Sequence, residues 1–224
     1  MNGAPFVLCS EQHTRTYIDP GYKSLRLVRA LGPSSNPLGK TGFHVLCAGI
    51  PLDPATFPKS ARWYGRKHFL ADINTSGHLI YVSDRFREVI EKIEPNVHQF
   101  LPIDLSDSKK QLLARRNAMI VCRTIDATDE KAMAAQGWVL RQGVWRLPSD
   151  LPKDDPDYKP YRKGGWAYIF DPTKIGSNAM WYDQRRLVRG PHPYVSADLA
   201  NVLLSASLTG LNLKPVSNSA SSID

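Results

Sequence analysis

The sequence predicts a single α+β domain, a mixed or mostly antiparallel sheet with a few helices packed on it and a duplicated strand–helix–strand unit inside it. Three observations lead there. The chain has 224 residues, 42% hydrophobic and 22% charged, which is ordinary globular composition with enough material for one large core. Short apolar runs of strand length, separated by Gly- and Pro-rich loops, outnumber stretches of helical period. Residues 81–103 also align without a gap to residues 194–216. The domain is expected to span residues 1–216, with 217–224 a disordered polar tail.

The first third reads as short strands. Residues 25–31 (LRLVRAL) alternate apolar and basic, and residues 43–48 (FHVLCA) form a compact apolar run. Loops rich in Gly, Pro and Ser occupy residues 32–42 and 50–60. From Gly77 the pattern sharpens. Residues 79–82 (LIYV) predict a strand and Ser83 a helix cap. Phe86, Val89, Ile90 and Ile93 then fall at helical spacing on one face. Pro95 and Asn96 stop that helix, and residues 97–105 return as a strand. Residues 118–125 (AMIVCRTI) predict another strand, followed by a short helix over 128–136 closed by Gly137. A hairpin is expected to turn at Gln142-Gly143. Residues 148–165 lack apolar periodicity and are dense in Pro, Asp and Lys, so a loop of this length is either functional or mobile. The sheet is expected to resume at residues 166–170.

The internal alignment pairs YVSDRFREVIEKIEPNVHQFLPI with YVSADLANVLLSASLTGLNLKPV. Tyr81/Tyr194, Val82/Val195, Ser83/Ser196, Val89/Val202 and Pro102/Pro215 are identical, and apolar pairs such as Phe86/Leu199 and Ile90/Leu203 fall in step. Each copy therefore predicts a strand end, a Ser-capped helix and a returning strand. Two copies make a shared supersecondary unit and not a solenoid.

The same two segments resemble a family of bacterial polymorphic-toxin immunity proteins. That family has a "VSxRLRxVLE…hQFxPV" block in its middle and a "VSxxLxxxLxxxxLTGLxFxPV" block near its end. Residues 82–103 and 195–216 match these, with Leu208-Thr209-Gly210-Leu211 on the LTGL turn, and residues 69–73 (FLADI) resemble a short segment ahead of the first block. Leu213 stands where the family often has Phe, and residues 1–68 match less well. The resemblance implies a protein that binds and neutralises a toxin made by the same cell, through a protein–protein interface and without catalysis. The matched positions read as core and turn residues, so they identify the fold and not the interface.

Composition bears on partners and location. The formal charge is +8, from 29 Lys and Arg against 21 Asp and Glu, which suits an acidic partner as well as plain solubility. The toxin is accordingly expected to present an acidic contact surface. Nucleic acid is the rival partner and a membrane is not expected. The apolar run at residues 5–9 is too short for a signal-peptide core, and no stretch nears the roughly 18–20 apolar residues of a membrane span. Three scattered cysteines, Cys9, Cys47 and Cys122, read as small buried hydrophobes of a reducing compartment, hence the cytoplasm.

Two basic–aromatic clusters are the candidate partner-binding residues: Trp63, Tyr64, Arg66 and Lys67 in one, and Tyr158, Tyr161, Arg162, Lys163, Trp181, Arg185 and Arg186 in the other. Trp, Tyr and Arg combine large apolar area with directed donors, which is why they dominate binding hot spots. Aromatics beside cations also grip single-stranded nucleic acid, so a nucleic-acid-binding protein is the alternative reading. The bland alternative places the Trp rings in the core with the charges snorkelling out.

No catalytic, cofactor or metal residues are expected. Residues 34–41 (SSNPLGKT) imitate a phosphate-binding loop but carry Ser34 where Gly is required and Pro37 where an N–H is needed. The six histidines lack zinc-site spacing, with His44, His78 and His98 expected on strands as partly buried residues. Asp154-Asp155-Pro156-Asp157 lacks the Gly and closing Glu of a calcium loop. Neither a G-x-S-x-G elbow nor a local Cys–His signature is present.

Overall fold

A computed structural model describes residues 4–10, 16–17, 49–63, 70–76, 79–107, 109–160, 168–185 and 192–216. The strands expected over 25–31 and 43–48, the phosphate-loop look-alike, His44, His78 and the polar tail lie outside these residues.

In chain order the elements begin with β1 (Phe6–Ser10), β2 (Thr16–Tyr17), β3 (Ser60–Trp63), β4 (Ile73–Ser76) and β5 (Leu79–Val82). Helix α1 (Asp84–Ile93) leads to β6 (Gln99–Ser106), β7 (Leu112–Ile120) and β8 (Thr124–Ile125). Next come α2 (Glu130–Ala135), β9 (Val139–Arg141), β10 (Val144–Arg146), α3 (Pro172–Ile175) and β11 (Met180–Asp183). The last elements are β12 (Tyr194–Val195), α4 (Ala197–Ser205) and β13 (Leu211–Pro215). Two sheets result, ordered β13-β1-β12-β11-β8 and β2-β3-β6-β7-β5-β4, beside the separate β9–β10 hairpin. The α+β class expected from sequence is the one found.

Both copies of the repeat adopt the expected structure. Ser83 Oγ accepts from the Phe86 N–H and Ser196 Oγ from the Leu199 N–H, each at 3.2 Å. These bonds satisfy one of the open donors of each helix start. Phe86 and Ile90 of α1 are buried, as are Leu199, Ala200 and Leu203 of α4, while Ile93 is 43% exposed.

The likeness runs further than the aligned residues. In the first unit β5 and β6 both pair antiparallel with β7, which lies between them. In the second, β12 and β13 both pair antiparallel with β1. Each helix thus links two parallel strands across an intervening antiparallel one. That strand follows the unit in the first case and comes from near the N-terminus in the second. An antiparallel strand also precedes each unit, β4 on β5 and β11 on β12, with Ile73 opposite Val82 and Met180 opposite Val195.

The two units share one core. Leu8, Met180 and Val195 of the first sheet join Ile73, Ile80, Val82 and Met119 of the second around the buried faces of α1 and α4. The other face of the second sheet, which includes Ala61 and Trp63 of β3, is covered by Leu52 and Phe57. Gln99 anchors that covering segment by accepting from the Leu52 N–H at 2.9 Å and donating to the Leu52 carbonyl at 2.8 Å. The outer face of the first sheet packs Val7, Cys9, Trp181 and Tyr194 on Ala127, Phe170 and Ile175.

Three sequence expectations need adjustment. The strand expected over 118–125 begins at Leu112 and ends at Ile120, with β8 a separate two-residue strand. Phe170 makes only an isolated bridge with Thr128. His98 is buried in the turn before β6 instead of half-buried on a strand. The short helix before Gly137 and the Gln142-Gly143 hairpin turn are present, both turn residues having positive φ.

Candidate functional site

Among the predicted contact residues, Trp63 and Trp181 are core. Trp63 is 2% exposed and Trp181 fully buried. Trp181 lies in an aromatic cluster, edge-on to Phe170 at 6.1 Å and stacked on Tyr194 at 6.1 Å. Both indole N–H groups lack an acceptor among the described residues. Neither ring is available in this arrangement as a surface anchor or a base-stacking platform. Tyr158 is half-buried in the loop after β10, its N–H donating to the Asp155 carbonyl at 2.9 Å. Tyr64, Arg66, Lys67, Tyr161, Arg162, Lys163 and Arg186 lie outside the described residues.

Arg185 is engaged inside the molecule. Its guanidinium bridges Asp126 and Glu130, each at 2.7 Å. Beside it, the Asp183 carboxylate is buried at 5% exposure. It accepts from the Tyr168 hydroxyl at 2.8 Å, the Arg185 N–H at 2.9 Å and the Ala127 N–H at 3.2 Å. Burial pushes its acidity constant above the ordinary Asp value, the three hydrogen bonds oppose that, and nearby Asp126 adds to it. The group organises the crossing of β11 with the 125–127 segment, since its bonds from Ala127 and Tyr168 tie two other stretches of chain to the end of β11.

The loop after β10 is held in place as far as the structure describes it. Arg141 pairs with Asp155 at 3.3 Å and also contacts Asp157. Asp155 Oδ1 accepts the Asp157 N–H at 2.9 Å. The carboxylates that imitate a calcium loop are thereby occupied by a guanidinium. No group of three or more His, Cys, Asp or Glu among the described residues is arranged to hold a metal ion.

Two polar locks join the repeated units. Asp72, one residue before β4, accepts from the Thr209 N–H and the Thr209 hydroxyl, both at 2.8 Å, and from the Ser83 hydroxyl at 2.7 Å. The Ile73 N–H donates to the Thr209 carbonyl at 3.3 Å. Glu94, just after α1, is 7% exposed and accepts from the Ala179 N–H at 2.9 Å and the Met180 N–H at 3.1 Å. It also pairs with His98 at 2.8 Å and with Arg123. His98 Nδ1 accepts from the Cys122 N–H at 3.3 Å, which leaves the proton on Nε2 to donate to Glu94.

The two locks are related by exchange. Ser83 N–H donates to the Asp72 carbonyl and Ser196 N–H to the Ala179 carbonyl, so Asp72 and Ala179 are equivalent positions. The turn after each helix therefore grips the strand start of the other unit. Asp72 is held below the ordinary Asp value: burial pushes it up, and the Thr209 and Ser83 hydrogen bonds outweigh it. Burial likewise raises Glu94, and the bonds from His98, Ala179 and Arg123 bring it below the ordinary Glu value. Both Glu94 oxygens are thus committed to structure by four donors, and Asp72 accepts three hydrogen bonds.

Sequence reasoning missed both locks because each joins residues distant in the chain. The FLADI segment and the LTGL turn each carry one side of the first lock, Asp72 and Thr209, but nothing in the sequence pairs them. Among the described residues no helix is long and apolar enough to cross a membrane. Comparison with curated proteins yields no match. A model of the immunity protein family Imm11 matches residues 66–218, which includes both Ser-capped units and both locks. The chain belongs to the Imm11 family of immunity proteins.

Proposed function

We propose that this protein neutralises a cognate secreted bacterial toxin by binding it directly and occluding it, in the cytoplasm of the cell that makes the toxin. The observation that carries this reading is the family match over about two thirds of the chain. Capture needs no cofactor and no catalytic group of the protein's own. It calls for roughly 1,200–2,000 Å² of buried surface and a nanomolar or tighter complex, because a single escaped toxin molecule is harmful. The excess of cations, +8 overall, favours a toxin with an acidic contact surface or a carboxylate-lined cleft.

Co-expression with the toxin domain encoded beside this gene tests the reading. Growth should be restored, and the two proteins should copurify as a defined complex. Full protection with no detectable complex would eliminate capture and indicate repair of the toxin's damage.

A further inference from the structure

We propose that the outer end of the β6–β7 hairpin is the surface that docks the toxin, and that its complement is an acidic patch on that folded protein. This rests on the capture reading above. The hairpin outruns its neighbour: β5 reaches β7 only at Asn117, Ala118 and Met119. Residues 112–116 are therefore paired on one side alone among the described residues.

Side chains at this end are arranged as a contact. Leu112 is 54% exposed. Lys109 and Lys110 are exposed beside it in the chain, and the Arg115 side chain is 82% exposed, with Asp104 at 3.6 Å, itself half exposed. Of the four cations in residues 107–116, Arg116 turns inward and donates to the Leu70 carbonyl at 3.4 Å, which leaves Lys109, Lys110 and Arg115 against one carboxylate, Asp107. That carboxylate is turned inward, accepting the Lys109 N–H at 2.8 Å and the Gln111 N–H at 2.9 Å. An exposed apolar residue among cations is the pattern of a hot spot with a steering rim.

The end is also pre-organised. Asp107 N–H donates to the Gln111 carbonyl at 2.9 Å and Lys110 N–H to the Asp107 carbonyl at 3.1 Å. Lys110 has φ 64°, a left-handed position that Gly would fill at lower energy by about 1 kcal/mol. A fixed end loses little freedom on docking.

Charged residues and a bulge on an edge strand ordinarily guard against strand addition. The bulge is present, since Leu105 faces Ala114 while Ser106 faces Leu112. It makes side chains, not backbone pairing, the means of recognition. An exposed Leu112 is the opposite of a guard. The end carries no aromatic ring for base stacking, which favours a protein partner over nucleic acid.

The test uses the full chain and the toxin domain encoded beside its gene. Leu112→Asp combined with Lys109→Glu and Lys110→Glu should weaken binding at least about 100-fold with thermal stability unchanged. Lys153→Glu with Lys159→Glu, on the loop after β10, should leave affinity intact. Hydrogen exchange of the unmutated chain should show protection of amides 109–116 on complex formation, a readout independent of how the variant folds. Wild-type affinity in the triple variant, or no protection at 109–116 in a complex that does form, overturns the docking surface and leaves capture standing. Failure of the unmutated chain to bind overturns both. Binding to a mixed-sequence oligonucleotide at physiological salt, lost in the same triple variant, would assign the end to nucleic acid instead.

Discussion

Removing the Glu94 carboxylate should destabilise the protein more than any other single polar change described above. Its two oxygens serve two backbone donors, Ala179 and Met180, and two side chains, His98 and Arg123. In Glu94→Ala the two buried N–H groups lose their acceptor at about 1–3 kcal/mol each. Arg123, 22% exposed, regains water and adds little. The expected loss is roughly 3–5 kcal/mol, in the range for breaking a buried charged network. Glu94→Gln keeps one acceptor but turns an amide N–H toward a backbone N–H, so about 2 kcal/mol is expected. Urea denaturation at pH 7 with unchanged m-values measures both. The sign of the pH effect follows from the depressed acidity constant. Stability from Glu94 is fully present above the ordinary Glu value of 4.5, and it is lost as pH falls through the lower folded-state value. The acid limb should be shallower in Glu94→Ala. A loss under about 1 kcal/mol would refute the assignment of Glu94 as the joint between the units.

The Ser caps should differ: Ser196→Ala should cost about 1 kcal/mol and Ser83→Ala about 2 kcal/mol, because only the latter also loses a described bond to a carboxylate, that of Asp72; equal losses in thermal denaturation would count against it. Gly210→Ala should cost more than about 2 kcal/mol, since φ is +73° and the added Cβ would sit 2.5 Å from Ala71 Cβ and 2.6 Å from the Ile73 carbonyl oxygen. Asp183 has the opposite pH sign to Glu94. Its folded-state value is raised, so its penalty is largest at neutral pH and eases as pH falls through that value. The stability gap between Asp183→Asn and the parent should shift in the parent's favour on acidification, which paired melts over a descending pH series would detect. Cys122, with its thiol pushed up by burial to about 11, should resist alkylation at pH 8 until the protein is unfolded.

The sequence made the repeated units legible because their signals are local. A Ser cap, a 3.6-residue apolar stripe and a Pro stop all act within a dozen residues. β7 was half legible: residues 118–120 are apolar and buried, whereas LLARR over 112–116 has no alternation of its own and takes its strand form from β6. The candidate contact residues show the harder limit. Trp63 and Trp181 look alike in sequence whether buried or exposed, and only the strand burial around them decides. Arg185 finds Asp126 and Glu130 some sixty residues away, and Asp72 meets Thr209 across 137. Local pattern carries no record of such meetings. The exchange between the two units, visible only as equivalent hydrogen bonds, was beyond it altogether.

The position of β1 has a consequence for timing. Residues 6–10 form the strand between β12 and β13, yet they lie outside the segment that matches the family. Leu8 is fully buried there. Among the described residues β1 pairs only with β12 and β13, about 190 and about 200 residues further along the chain. Loop closure over such a distance is slow, and the half-sheet meanwhile exposes apolar surface. A chain that has not yet reached Pro215 has an open sheet and an unfilled core. The pairing that fills the core is therefore completed only once residues 194–215 are in place, and any binding that depends on the closed sheet comes after it.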